Sequence, residues 1–104
     1  MQYSVKLTPR AIVQIQEIVS YISKVLMVPN TAEKWADHLE NEIASLDTMP
    51  ERHPVVDFEP WKSRGYHVMP VKNFLIYYYI SNSIVWVTAV VYGKRDQLSA
   101  LIDI

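Results

Sequence analysis

Alternating apolar and polar residues predict a strand at the start of the chain. Tyr3, Val5 and Leu7 alternate with polar residues, which is the period of a strand with one face on a core. The Thr8-Pro9 pair that follows is typical of a helix start, because proline lacks an N–H that would have no partner in the first turn. A short strand and then a helix are therefore predicted.

Two stretches with apolar residues at spacings of three and four predict a pair of helices. The first stripe ends before Pro29 and the second ends before Pro50. Asn30 and Glu33 have the spacing of a capping box at the start of the second helix. Because the link between the stripes is short, the helices are predicted to form an antiparallel hairpin. The two stripes are Ile12, Ile15, Val19, Ile22 and Leu26, and then Ala32, Trp35, Leu39, Ile43 and Leu46.

The second half of the chain predicts a loop followed by a sheet. Residues 49–65 contain three prolines and Gly65, which is typical of a loop that crosses from helices to a sheet. Three apolar stretches at 66–71, 74–80 and 84–92 are separated by short turns at 72–73 and 81–83, so an antiparallel meander is predicted. The apolar tail at 98–104 predicts a last helical turn. The whole is an α+β fold of order βααβββ(α), one domain spanning 1–104.

The predicted sheet should have one face on the helices and one face free. His67, Met69 and Val71 share one face of the second strand, and Tyr77 and Tyr79 share one face of the third. Two helices can cover only one face, so the other is expected to be open or covered by a partner. A shift of one residue in register would exchange the faces, so the pattern leaves open which face each tyrosine takes.

The composition excludes several classes of protein. The 104 residues have a net charge of −1 and include no cysteine, which excludes disulfides and thiolate metal sites and fits the cytoplasm. No apolar run approaches the roughly 20 residues of a membrane span, and no signal peptide is expected. The histidines lack metal-ligand spacing, and no cofactor is expected. With this charge, contact with nucleic acid would need a local basic patch.

The order of these elements and several short sequences resemble a known superfamily of toxins. The segments YSVKLTPRA, GYHVMPVKNFLIYYYI and VVYGKRD, taken in order, are similar to the RelE/ParE superfamily of type II toxin–antitoxin systems, and the resemblance covers essentially the whole chain. It implies a helical hairpin packed against a twisted antiparallel sheet whose concave face carries the site. It also implies a plasmid-stabilising toxin that forms a hetero-oligomer with a cognate antitoxin. Some members cleave mRNA on the ribosome, whereas others poison DNA gyrase without being nucleases.

The resemblance implies four candidate catalytic residues for mRNA cleavage. Attack by a ribose 2′-OH on the adjacent phosphate needs a base, cations and an acid, but no metal. His67, three residues before Pro70, matches a histidine that some mRNA-cleaving members use as an acid or base. Arg95, with Lys94 beside it, matches the arginine that contacts phosphate, and Tyr92 is a candidate acid at a position that is not the family's. We therefore expect a metal-independent endoribonuclease that acts on ribosome-bound mRNA.

Three departures from the family pattern keep other functions open. The third-strand arginine is replaced by Leu75, the paired second-strand lysines by His67 and Met69, and the tyrosine beyond the Gly-Lys-Arg turn by an apolar residue near Leu101. These differences favour a gyrase inhibitor that is not an enzyme, or an inactive module that binds an antitoxin. Tyr77 and Tyr79 are a candidate platform for stacked bases, and packing within the sheet explains them equally well.

Overall fold

A four-stranded sheet with two helices on one face forms the body of the protein. The computed structural model describes residues 2–25, 29–72 and 74–92. The elements in chain order are β1 (Ser4–Leu7), α1 (Pro9–Ser20), α2 (Pro29–Ala44), β2 (His67–Val71), β3 (Phe74–Ser81) and β4 (Ile84–Tyr92). The strand order is β1-β4-β3-β2, with the predicted antiparallel meander and β1 parallel to β4. The predicted α+β fold is confirmed, whereas the predicted helical turn at 98–104 lies outside the described residues.

The start of α1 is fixed by the predicted cap. The Thr8 hydroxyl accepts a hydrogen bond from the Ala11 N–H at 3.2 Å, and Pro9 is the first helical residue. The same hydroxyl donates to the Thr88 carbonyl at 3.4 Å, so the cap also ties the helix to β4. After Ser20 the helix widens into a π-helical turn over Tyr21–Val25.

The start of α2 differs from the prediction. Pro29 is already helical and Asn30 lies inside the first turn, so the predicted cap at Asn30 is wrong. Proline is tolerated in a first turn because its missing N–H would have no helical partner there. Two 3₁₀ turns, Ser45–Asp47 and Pro50–Arg52, follow the helix. The Arg52 guanidinium donates to the Ser45 carbonyl at 3.3 Å and the Met49 carbonyl at 3.1 Å, which holds these turns together.

The main core lies between the helices and one face of the sheet, called here the helix-side face. Apolar residues from both helices meet alternate residues of the strands, as the two periodicities require. The buried members of this core are Ala11, Trp35, Leu39, Ile43, Leu46, Met69, Val71, Ile76, Tyr78, Val85, Val87 and Val90.

The opposite face, called here the outer face, is covered in part by the loop at residues 49–65, called here the proline-rich segment. Val56 donates its N–H to the Tyr66 carbonyl at 2.7 Å, and Val68 donates its N–H to the Pro54 carbonyl at 3.0 Å. These bonds hold the segment against β2, and its side chains close over the sheet. The expectation of an open or partner-covered face is therefore wrong for this part of the sheet. The second core consists of Val56, Trp61, Tyr66, Tyr77 and Ala89.

A tight turn and a bulge set the register of β3 and β4. Asn82 and Ser83 have φ values of 53° and 63°, as a two-residue hairpin turn requires at both positions. Tyr77 pairs with Ala89 but Tyr78 pairs with Val87, so one extra residue of β4 is bulged out. The bulge places Val87 and Val90 on the helix-side face and Ala89 on the outer face.

Candidate functional site

His67 lies at the edge of the sheet, on the helix-side face. It begins β2 and pairs with Tyr78 of β3, and the two rings are stacked with centroids 5.3 Å apart and planes 12° apart. The Nδ1 atom of His67 lies 2.8 Å from the carbonyl oxygen of His53, which fits an N–H donated to the backbone. The imidazole thus has one face against a buried ring and one nitrogen bonded to the main chain.

The tyrosine under this histidine has a structural role. Tyr78 is fully buried and donates its hydroxyl to the Pro50 carbonyl at 2.5 Å, while the ring of His53 meets it edge-on at 6.5 Å. Burial raises the pKa of Tyr78 to about 12. The phenol therefore stays protonated at neutral pH and keeps donating to Pro50, which fastens the second 3₁₀ turn to the sheet.

The residues around the second 3₁₀ turn, called here the corner, carry the titratable groups of Tyr3, Glu51 and His53. Tyr3 donates its hydroxyl to the Glu51 carboxylate at 2.9 Å. A backbone hydrogen bond and the Tyr3 hydroxyl both hold the pKa of Glu51 below its usual value. Burial lowers the pKa of His53, and the charge of Arg52 lowers it further. At neutral pH the corner therefore carries an ionised Glu51 beside a neutral His53.

The structure separates His67 from the backbone of Tyr92, another of the predicted catalytic residues. Tyr92 is the last residue of β4 and pairs with Phe74, which in turn pairs with Val71. His67 lies at the other end of β2, four residues away, or about 13 Å along the strand. The remaining two predicted residues, Lys94 and Arg95, lie outside the described residues, so the four-residue site stays a prediction.

The tyrosines of the outer face are packed rather than open. Tyr77 is 1% exposed beneath the proline-rich segment, so a base could not stack on it as it stands. The ring of Tyr79 packs on Tyr66 at 5.3 Å. Of the two interpretations that the sequence left open for Tyr77, packing is the one that its burial supports. The covering segment has no periodicity, so its position on the sheet could not be predicted from sequence.

A pocket that the sequence pattern did not predict opens on the outer face. It has a volume of about 470 Å³ and lies between residues 54–58 on one side and β2 and β3 on the other. The sheet supplies Val68, Pro70, Leu75 and Tyr77. Three cations near β2 are exposed, namely Lys62 and Arg64 in the proline-rich segment and Lys72 after β2.

Two further features are absent from the part of the chain that the structure describes. There, no group of three or more histidine or carboxylate side chains is arranged to bind a metal ion. No helix within 2–25, 29–72 or 74–92 is long and apolar enough to cross a membrane.

The strand order and the helical hairpin define a small α+β domain like that of the toxins named above. A comparison of the sequence with known protein families gives the same class of protein. Residues 5–97 match the family described as the ParE toxin of type II toxin-antitoxin system, parDE. The chain belongs to this family and is therefore a toxin of the RelE/ParE superfamily. No curated protein matches the sequence closely enough to count as a relative.

Among the solved structures that share the fold at low sequence identity, two are toxin–antitoxin assemblies. One is the chromosomal ParDE toxin–antitoxin system from P. aeruginosa, with a TM-score of 0.76 and 13% identity over 89% of this chain and 98% of that chain. The other is the toxin–antitoxin complex RelBE2 from Mycobacterium tuberculosis, with a TM-score of 0.61 and 16% identity over 88% of this chain and 99% of that one. At these identities the likeness is one of fold.

Proposed function

We propose that this toxin acts by binding its target, DNA gyrase, rather than by cleaving RNA. The observation that carries the proposal is the environment of His67, the candidate acid or base for cleavage. Its ring lies on the helix-side face against buried Tyr78, and its Nδ1 is bonded to the His53 carbonyl. A ring that is packed and hydrogen-bonded in this way has a structural role that needs no proton transfer. The match to the ParE family supports the same choice of target.

A cognate antitoxin is the proposed regulatory partner, in the cytoplasm where gyrase acts. The two solved structures described above are toxin–antitoxin assemblies, which supports a complex of this chain with a small antitoxin. Expression of the toxin alone should stop growth, and co-expression of the antitoxin should restore it. Normal growth of cells that hold the intact toxin would contradict this part of the proposal.

The choice of target is tested with the purified full chain. The toxin is incubated with gyrase, ATP and supercoiled plasmid. It should trap the complex in which gyrase has cleaved the DNA, and denaturing gyrase should then release the cleaved plasmid. In a parallel translation reaction, primer extension should find ribosome-bound mRNA intact. Cleavage of mRNA in A-site codons, with gyrase unaffected, would overturn the proposal.

A variant of His67 separates the two mechanisms. His67→Asn keeps a side-chain N–H near the position of Nδ1, so the bond to His53 is retained while the imidazole is lost. Under the gyrase proposal this variant keeps its toxicity. If the imidazole transfers a proton in RNA cleavage, its loss should reduce the rate by about 10²–10⁴. His38→Asn, on α2, is the matched control for the effect of losing one histidine on expression.

Ribosome-dependent mRNA cleavage is the second candidate, and the Gly-Lys-Arg sequence favours it. In that mechanism Arg95 would bind the scissile phosphate through its planar guanidinium, and Lys94 would add charge nearby. Arg95→Ala should then reduce cleavage by about 10²–10³, whereas Lys62→Ala, in the exposed part of the proline-rich segment, should do little. Toxicity of Arg95→Ala equal to that of the wild type would remove this candidate.

A further inference from the structure

One row of side chains crosses the outer face from edge to edge, near the turn that joins β3 to β4. Lys6 of β1 pairs with Trp86 of β4, and Trp86 pairs with Tyr79 of β3. Both chain neighbours of Trp86 belong to the main core, so its own side chain is on the outer face. The ring of Tyr66, just before β2, packs on Tyr79 with centroids 5.3 Å apart. These four residues are called here the aromatic row.

A cation lies at each end of the aromatic row. The Lys6 ammonium is over the Trp86 ring, 5.8 Å from its centroid. At the other end Arg64, which precedes Tyr66 in the chain, is exposed. Burial raises the pKa of Tyr66 most, and the charge of Arg64 lowers it by a smaller amount, so the guanidinium acts on this ring. The row spans the whole sheet, about 14 Å, because neighbouring strands lie about 4.8 Å apart.

The strands that carry the row hold no negative charge. β1, β2, β3 and β4, all within the described residues, contain no aspartate or glutamate, although the whole chain has 11 acidic residues and a net charge of −1. In the proline-rich segment, Glu59 accepts hydrogen bonds from the N–H and the hydroxyl of Ser63 at 2.9 and 2.8 Å. Asp57 borders the pocket of the outer face, whose lining includes no member of the row. An anion on the row would therefore meet cations without an opposing carboxylate on the sheet.

The two middle rings leave room for stacking. Trp86 and Tyr79 are half-buried, whereas Tyr66 is 7% exposed and supports Tyr79 from the side of β2. The bases of a single strand stack on such rings whatever their sequence, because every base has a π-face. Lys6 is exposed, so its ammonium can turn from the Trp86 ring to a phosphate. Rings between cations are the combination by which proteins hold single-stranded nucleic acid.

We propose that the aromatic row binds single-stranded DNA, with bases on Trp86 and Tyr79 and phosphates on Lys6 and Arg64. The choice of DNA over RNA rests on the proposed action on gyrase, whose substrate is DNA. None of the residues proposed for RNA cleavage belongs to the row. A toxin that holds a strand exposed at the cleaved site would stabilise the cleaved complex.

The test measures the fluorescence anisotropy of a labelled oligo(dT) of about 12 nucleotides with the purified full chain, in the absence of gyrase. Saturable binding is expected. Trp86→Leu should weaken this binding about 5- to 150-fold, which is the usual effect of losing one stacked base. Trp86→Phe keeps a ring at the same place and should recover most of the affinity. The comparison of leucine with phenylalanine separates stacking from general apolar contact.

The cations are tested through the salt dependence of the same binding. Each phosphate contact adds about 0.7 to the slope of log affinity against log salt concentration for a single strand. Lys6→Gln and Arg64→Gln should each lower the slope by about that amount. Lys34→Gln removes an exposed lysine of α2, changes the net charge equally and should leave the slope unchanged.

Three results would overturn the inference. They are the absence of saturable oligo(dT) binding, equal affinity in wild type and Trp86→Leu, and equal slopes in Lys6→Gln and Lys34→Gln. Tighter binding of an oligo(U) of the same length would assign the row to RNA and overturn the choice of DNA. The amide spectrum of each variant confirms that it is folded.

These assays contain no gyrase, so their outcome is separate from that of the gyrase assay. A chain that binds oligo(dT) through the row but fails to trap cleaved plasmid would contradict the proposed function and support the row as a DNA site. A chain that traps cleaved plasmid without binding oligo(dT) would support the proposed function and overturn the inference.

Discussion

The two faces of the sheet use neighbouring tyrosines in opposite ways. Tyr78 points to the helix-side face, is 0% exposed and donates to the Pro50 carbonyl. Tyr77, the residue before it, is 1% exposed on the outer face, and its hydroxyl has no partner within the described residues. The two side chains are equally buried, but of these two hydroxyls only that of Tyr78 makes a hydrogen bond between described residues. The Tyr78 hydroxyl thus fastens the chain on its face of the sheet, whereas the Tyr77 hydroxyl adds no such bond on the other.

The comparison can be sharpened first with a pair of adjacent core residues. Ile76 is fully buried on the helix-side face, and Leu75 is half-buried in the pocket wall. Ile76→Ala should lower the free energy of unfolding by about 2–5 kcal/mol, because it leaves a cavity in a packed core. Leu75→Ala should cost less, about 1 kcal/mol, since its side chain is already partly exposed to solvent. Urea unfolding of both variants measures the difference, and equal losses would mean that the outer face is as tightly packed as the other.

The second test removes the two hydroxyls in turn. Tyr78→Phe should cost about 1–3 kcal/mol, because the buried Pro50 carbonyl loses its donor. Tyr77→Phe should be neutral or slightly stabilising, because it removes a buried hydroxyl without breaking a bond between described residues. The same urea experiment compares the two, and a loss in Tyr77→Phe as large as in Tyr78→Phe would show that its hydroxyl is already satisfied.

The smallest expected effect concerns pH and the corner next to Tyr78. Burial lowers the pKa of His53 most, and the charge of Arg52 lowers it further. Glu42 raises this pKa by less than that, and His67 lowers it by the smallest amount. Because the unfolded chain then binds more protons near and below pH 6.5, the folded state loses stability as the pH falls below that value. The loss is complete once the pH is below the lowered pKa of the folded protein.

This pH effect is measured as a difference between variants. The free energy of unfolding at pH 7.5 and at pH 5.5 should differ by less in His53→Gln than in the wild type. His38→Gln, on α2, controls for the loss of a histidine elsewhere. An identical pH dependence in wild type and His53→Gln would mean that His53 has the same pKa in the folded and the unfolded protein.

Local patterns predicted the elements well, and non-local packing accounts for what they missed. The Thr8-Pro9 cap and the turn after β3 depend on a few neighbouring residues, so the sequence was sufficient for them. The position of Tyr77 depends on residues 54–61, an irregular segment whose contacts leave no period in the sequence. The bulge between β3 and β4 likewise moves a single residue, and no turn signal marks it. The face of the sheet on which His67 lies depends on the register of β2, and the alternation of residues alone did not fix that register. The role of His67 therefore could not be predicted from the sequence.

The parallel pairing of β1 with β4 has a consequence for how the chain folds during synthesis. Residues 4–7 are made first but pair with 84–87, near the end of the described chain. Such distant pairing slows folding, because a long loop must close before its contacts are gained. On the ribosome, β1 therefore waits without its neighbour until β4 has emerged. The sheet of the toxin is therefore completed only after residues 84–92 have been translated.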